Sequence, residues 1–124
     1  MKILPELHYT TDHEWISGEG KIGITDFAQD QLGDVVYLDF AVAVGDEVNK
    51  GDTLGTVESV KTVSDIYAPV AGTVKALNEG IADSPESVNS DPYGGGWMFQ
   101  LDVSDAGALS ALMSPEDYKK HIGE

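Results

Sequence analysis

The chain has 124 residues, 41% of them hydrophobic, and sets 22 acidic residues against seven lysines and no arginine, a net charge of −15. That length suits one compact domain over residues 1–124 with a modest core. The charge argues against nucleic acid and anionic membranes, which need clustered basic residues, and favours partners with basic docking patches. Cysteine is absent, which excludes disulfides, thiolate nucleophiles and cysteine metal sites. No apolar run approaches a membrane span. Met1-Lys2-Ile3-Leu4-Pro5-Glu6 has neither the apolar region of a signal peptide nor the character of a transit peptide. A cytoplasmic protein is expected, with a trimmed mitochondrial form as the alternative.

In chain order, Leu7 to Tyr9, Trp15 to Ser17 and Lys21 to Ile24 read as short strands, the last two joined by the turn Gly18-Glu19-Gly20. His8, His13 and His121 lack metal-ligand spacing, and no metal site is expected. Thr25 caps a short helix containing Phe27, Ala28 and Leu32, with Gly33 at its end. Asp34 to Phe40 alternates Val35, Tyr37, Asp39 against Val36, Leu38, Phe40, a strand with one apolar face. Gly45-Asp46 and Gly51-Asp52 bracket a very short strand at Glu47-Val48.

Gly55 to Pro69 reads as two strands rich in Thr, Val, Ile and Tyr, joined at Glu58-Ser59-Val60-Lys61. This tip has no Gly, Asn or Pro, although tight hairpins prefer residues that accept φ > 0. Lys61 projects a free amine from it. Thr73 to Leu77 is another strand. Asn78 to Gly96 is loop-like, with one helical turn expected from Ser84-Pro85-Glu86. Gly94-Gly95-Gly96 lacks the Lys and Ser/Thr of a phosphate loop. Trp97 to Val103 is the last strand. The C-terminal segment is helical in two pieces, capped by Ser104 or Asp105 and by Ser114, with Leu109, Leu112 and Met113 as core contacts. The class is mainly β with short flanking helices and a C-terminal helical segment, and no catalytic constellation is recognisable.

The run from Val57 to Gly72, VESVKTVSDIYAPVAG, resembles the lipoyl-attachment segment of the glycine cleavage system H protein family. His13-Glu14-Trp15, Gly23 to Ala28, Leu32 to Val36, and Val88 to Tyr93 through Gly96-Trp97 resemble other blocks of that family, in the same order. The resemblance implies a barrel-sandwich hybrid, the fold of lipoyl and biotinyl carriers. It implies lipoate attached covalently to Lys61; Glu58 and the shape of the hairpin are expected to be what the lipoylating enzyme reads. It implies a carrier without its own active site. Such a carrier takes the aminomethyl group of glycine from a pyridoxal-phosphate glycine decarboxylase to a tetrahydrofolate-dependent aminomethyltransferase. An FAD dihydrolipoamide dehydrogenase reoxidises the arm, and a lipoate ligase or lipoyltransferase attaches it. Glu14 and Asp65, in family-like blocks, are the candidate shelter for the loaded arm's ammonium. Asp12 departs from the small hydroxyl residue frequent there in the family. The alternatives are a relay donating lipoyl groups to other proteins, a biotinyl carrier, a lipoyl domain of a 2-oxoacid dehydrogenase and an unmodified interaction domain. A biotinyl carrier usually has Met on both sides of its lysine, where Val60 and Thr62 stand here.

Overall fold

The computed structural model describes residues 2–124. Met1, the first residue of the stretch read for targeting, lies outside them. The strands are β1 (His8–Tyr9), β2 (Glu14–Ile16), β3 (Lys21–Ile24), β4 (Val35–Phe40), β5 (Glu47–Val48), β6 (Thr53–Ser59), β7 (Val63–Tyr67), β8 (Gly72–Leu77) and β9 (Phe99–Val103). The helices are α1 (Asp26–Leu32), α2 (Ser87–Ser90) and α3 (Pro115–His121), with 3-10 turns at Glu79–Ala82 and Ala106–Ala111. A six-stranded sheet runs in the order β1-β2-β3-β9-β8-β5, and a three-stranded sheet in the order β4-β6-β7. The paired strands are antiparallel throughout. This is the mainly β architecture expected from the sequence.

The two sheets share one core. Leu38, Leu54, Val57 and Ile66 of the small sheet pack in the same apolar cluster as Ile22, Val74, Phe99 and Leu101 of the large one. Each such side chain contributes about 1.5–3 kcal/mol by leaving water. Gly55 marks the closest approach: a Cβ there would collide with the Asp39 carbonyl oxygen and stand 2.9 Å from the Phe99 ring. A smaller cluster of Leu7, Tyr9, Trp15 and Tyr118 fastens α3 to the first strands, and the Tyr9 and Tyr118 rings stack at 4.7 Å.

Three local expectations are corrected. The β4 strand does not alternate simply, because its pairing with β6 slips between Val35 and Tyr37. Such a bulge inserts one residue and resets which side chains face inward. Val35 and Leu38 are therefore both buried, whereas Val36 and Tyr37 are both exposed. The helical turn expected at Ser84 begins later, at Ser87, with Glu86 at its start and no side-chain cap. Ser84 and Pro85 carry preceding turns, their carbonyls accepting from the Ser87 and Val88 N–H groups. The run after Asp105 is a 3-10 turn rather than an α-helix. Gly107 weakens helix there, and Met113 exchanges backbone hydrogen bonds with Tyr9, at 3.0 and 2.9 Å, which draws the chain into an extended bridge. Leu109 and Leu112 still pack on the main core, and Met113 on the smaller cluster.

Candidate functional site

The β6–β7 tip is held by a serine. The Ser59 N–H donates to the Thr62 carbonyl at 2.8 Å. The Ser59 Oγ accepts from the Thr62 N–H at 3.1 Å and from the Lys61 N–H at 3.3 Å. Its hydroxyl lies 3.2 Å from the Thr62 carbonyl oxygen. A hydroxyl that satisfies turn N–H groups replaces the left-handed residues a tight hairpin otherwise needs. His13 is the one non-glycine residue with positive φ among those described, so Val60 and Lys61 sit in ordinary conformations. The Val60 N–H donates to the Asp34 carbonyl at 3.0 Å, tying the tip to the start of β4.

Lys61 is exposed, and its stem lies across Gly33. Gly33 ends α1 with φ 79° and ψ −161°, a region open essentially to glycine alone. A Cβ there would stand 3.3 Å from Lys61 Cε. Asn89 braces this junction from below. Its amide nitrogen donates to the Gly33 carbonyl at 2.8 Å and to Gln29 Oε1 at 3.0 Å, and its oxygen accepts from the Val35 N–H at 2.8 Å. Ser59, Gly33 and Asn89 all lie in quoted motifs, yet sequence reasoning gave none of them a role at the tip. The missing glycine or asparagine at the turn was the one signal that pointed to Ser59.

Beside the tip, a hollow of about 400 Å³ runs between α1 and β7. Ile24, Phe27, Ala28, Leu32 and Ile66 give it apolar walls, while Asp12 and Asp65 supply carboxylates at its edge. An apolar trough with acids suits a flexible hydrocarbon arm that ends in a cation. Asp65 is exposed, and its carboxylate accepts from the Thr56 hydroxyl at 3.2 Å. Glu58 is exposed on β6, directly between Tyr37 of β4 and Val63 of β7.

Glu14 is placed differently. It is 2% exposed and lines a second hollow of about 420 Å³ with Tyr9, Thr10, Lys50, Tyr67 and Met113. Its Oε2 accepts from the Tyr67 N–H at 2.7 Å and its Oε1 from the Thr10 hydroxyl at 3.1 Å. Burial pushes its carboxyl up from 4.5 to about 7, against those two hydrogen bonds, with Asp12 adding to the rise. The structure does not bring Glu14 and Asp65 into one hollow. Asp12 borders both.

His13, at φ 67°, forms part of the wall of the first hollow. Its Nδ1 is 2.9 Å from the Tyr118 hydroxyl, which is 2.6 Å from Thr25 Oγ1. Thr25 in turn caps α1 by accepting from the Ala28 N–H at 3.1 Å. Burial and the neighbouring His121 hold the His13 imidazole below its usual value, opposed by Asp12. The third residue of this block, Trp15, donates its indole N–H to the Pro92 carbonyl at 3.0 Å. The His13-Glu14-Trp15 triplet thus joins three parts of the molecule. Among the described residues, no group of three or more His, Asp or Glu could hold a metal ion, and no helix is long and apolar enough to cross a membrane.

A family profile described as Glycine cleavage H-protein matches residues 7–124. The glycine cleavage system H protein of Carboxydothermus hydrogenoformans is 50% identical, with 100% of this chain and 98% of that protein covered. That of Coprothermobacter proteolyticus is 48% identical, with 100% of each covered. The crystal structure of a glycine cleavage system H protein from Mycobacterium marinum matches with a TM-score of 0.88 at 35% identity, covering 98% of this chain and 100% of that one. With these matches along its whole length, and a lysine presented beside an amphipathic trough, the chain belongs to the glycine cleavage H-protein family of lipoyl carriers.

Proposed function

We propose that this chain is one carrier domain of a glycine cleavage system, that lipoate is attached to Lys61, and that it moves the aminomethyl group of glycine between partner enzymes. The observation that carries this reading is the exposed Lys61 amine on a serine-pinned tip beside the trough of α1 and β7. When attached, lipoate supplies a disulfide that accepts the aminomethyl group as it is reduced. The protein's own residues present, shelter and release. Ser59 and Gly33 fix where the Lys61 amine stands. Ile24, Phe27, Ala28, Leu32 and Ile66 offer an apolar wall that excludes water. Asp65 meets a cation along that wall, and Glu14 lines the neighbouring hollow that Asp12 also borders. A carboxylate beside an ammonium group gives a charge-assisted hydrogen bond.

The partners are a pyridoxal-phosphate glycine decarboxylase, a tetrahydrofolate-dependent aminomethyltransferase and an FAD dihydrolipoamide dehydrogenase, with a lipoate ligase or lipoyltransferase for attachment. The carrier has no catalysis of its own, and its setting is cytoplasmic. Tethering raises the effective concentration of the arm in each partner's site. The test is reconstitution with glycine and the purified decarboxylase. Glycine-dependent CO2 release should require the lipoylated chain and vanish with Lys61→Arg. Release by the unmodified chain or by Lys61→Arg contradicts the reading.

A further inference from the structure

The outer face of the three-stranded sheet carries exposed apolar side chains beside a central acid. Tyr37, Glu58 and Val63 stand opposite one another across β4, β6 and β7. Tyr37 is 52% exposed, Val63 57% and Val60, beside Lys61, 68%. The next row is Asp39, Thr56 and Asp65, so carboxylates also border this row on its far side. Asp34 is exposed next to the tip. In the β4, β6 and β7 segments and the tip, Lys61 is the sole basic residue. Tyr37 and Val63 thus flank the exposed Glu58, Val60 adds apolar surface at the tip, and further acids border them, a mixed apolar and acidic patch of the kind that serves as an interface.

We propose that this face, made by Tyr37, Glu58, Val60 and Val63, is the docking surface for the enzyme that acylates Lys61, and that the enzyme meets it with apolar contacts for Tyr37, Val60 and Val63 and with arginine or lysine for Glu58 and the bordering acids. The proposal rests on the reading of Lys61 as the lipoyl site. Reach selects this partner. The unmodified lysine extends only about 6 Å from its Cα, given five bonds of about 1.5 Å each in zigzag. An enzyme that acylates the amine itself must therefore cover the residues around the tip. An enzyme acting at the end of an acylated arm stands farther away. In the reaction, the neutral Lys61 Nζ attacks the acyl carbon of an activated lipoyl group, a mixed anhydride with a nucleotide. The amide C–N bond forms, the nucleotide leaves with the electron pair of the broken C–O bond, and one Nζ proton passes to solvent. Charge complementarity between basic groups of the enzyme and these acids speeds encounter and fixes orientation, while Tyr37, Val60 and Val63 supply apolar contact area.

The experiment follows lipoylation of the full unmodified chain by a lipoate ligase with lipoate and ATP, using intact mass against time at several carrier concentrations. The variants are Tyr37→Ser/Val63→Ser and, as a control, Val44→Ser. Val44 is 63% exposed but lies beyond the other end of β4. The double variant should raise KM for the carrier at least tenfold, with Val44→Ser within twofold of wild type. Acetylation of Lys61 by a small N-hydroxysuccinimide ester, mapped by peptide, should proceed equally in all three, which shows that the tip and its amine are intact. Equal ligase kinetics for wild type and double variant, or a parallel loss of chemical acetylation, overturn the docking face and leave the Lys61 reading standing. A wild-type chain that the ligase does not load at Lys61 overturns both.

Discussion

Glu14 is the buried acid whose ionisation should be visible in the stability of the whole protein. Its folded-state value of about 7, against 4.5 when unperturbed, means that the fold binds the neutral acid better than the carboxylate. The sign follows from linkage. A group raised in the folded state contributes stability that is fully present below pH 4.5 and is lost as pH rises through about 7. The shift corresponds to roughly 3 kcal/mol in full, and to roughly 2–3 kcal/mol between pH 5 and pH 8. The perturbation is Glu14→Gln, which stays neutral. Its carbonyl oxygen can still accept from the Tyr67 N–H, and its amide can donate to Thr10 Oγ1, which already accepts from the residue 14 N–H at 3.1 Å. Urea unfolding of wild type and variant at pH 5, 6, 7 and 8, extrapolated to water, gives the difference in stability at each pH. The other acids titrate in both proteins, so that difference isolates Glu14. Glu14→Gln should gain roughly 2–3 kcal/mol relative to wild type from pH 5 to pH 8. Parallel curves, within about 0.5 kcal/mol, would refute a burial-raised Glu14.

Other outcomes follow from named contacts. Asn89→Ala should cost about 2 kcal/mol in urea unfolding, because it strands the Gly33 carbonyl and the Val35 N–H. Gly33→Ala should cost about 1–3 kcal/mol, from its backbone region. It should also slow lipoylation by displacing the Lys61 stem, whereas equal loading would show that the stem's position is immaterial. His13 is held below 6.5, so its contribution to stability is present above pH 6.5 and is lost as pH falls. His13→Asn, which tolerates positive φ, should flatten that acid-side slope in the same urea series. Asp65→Ala should hasten ammonia release from the loaded carrier by about two- to fivefold, an exposed ion pair's worth. An unchanged release rate returns Asp65 to the solvated surface.

Much of this was written locally. Thr25 before Asp26-Phe27-Ala28, Gly33 after Leu32 and Ser114 before Pro115 set helix ends through their own oxygens or backbone freedom, and the structure places α1 and α3 between them. Lys61 at a turn between two β-rich runs was legible for the same reason. The β4 bulge was not, since either phase of Val35-Val36-Tyr37-Leu38 puts apolar residues inward and only pairing with β6 chooses. Asn89 bonds Gly33 and Val35 across more than fifty residues, and nothing local marks such a partner. The separation of Glu14 from Asp65 depends on which way each side chain leaves its strand at the meeting of two sheets. Only the assembled fold decides that.

The most direct test of the central claim is the covalent state of Lys61. The protein is isolated from its native cell, weighed intact and mapped by peptide. We expect a single lipoyl group per chain, on the peptide carrying Lys61, absent from Lys50 and Lys75 and abolished by Lys61→Arg. Lipoate on another lysine, biotin on Lys61, or a wholly unmodified chain from cells with active lipoylation would contradict the account.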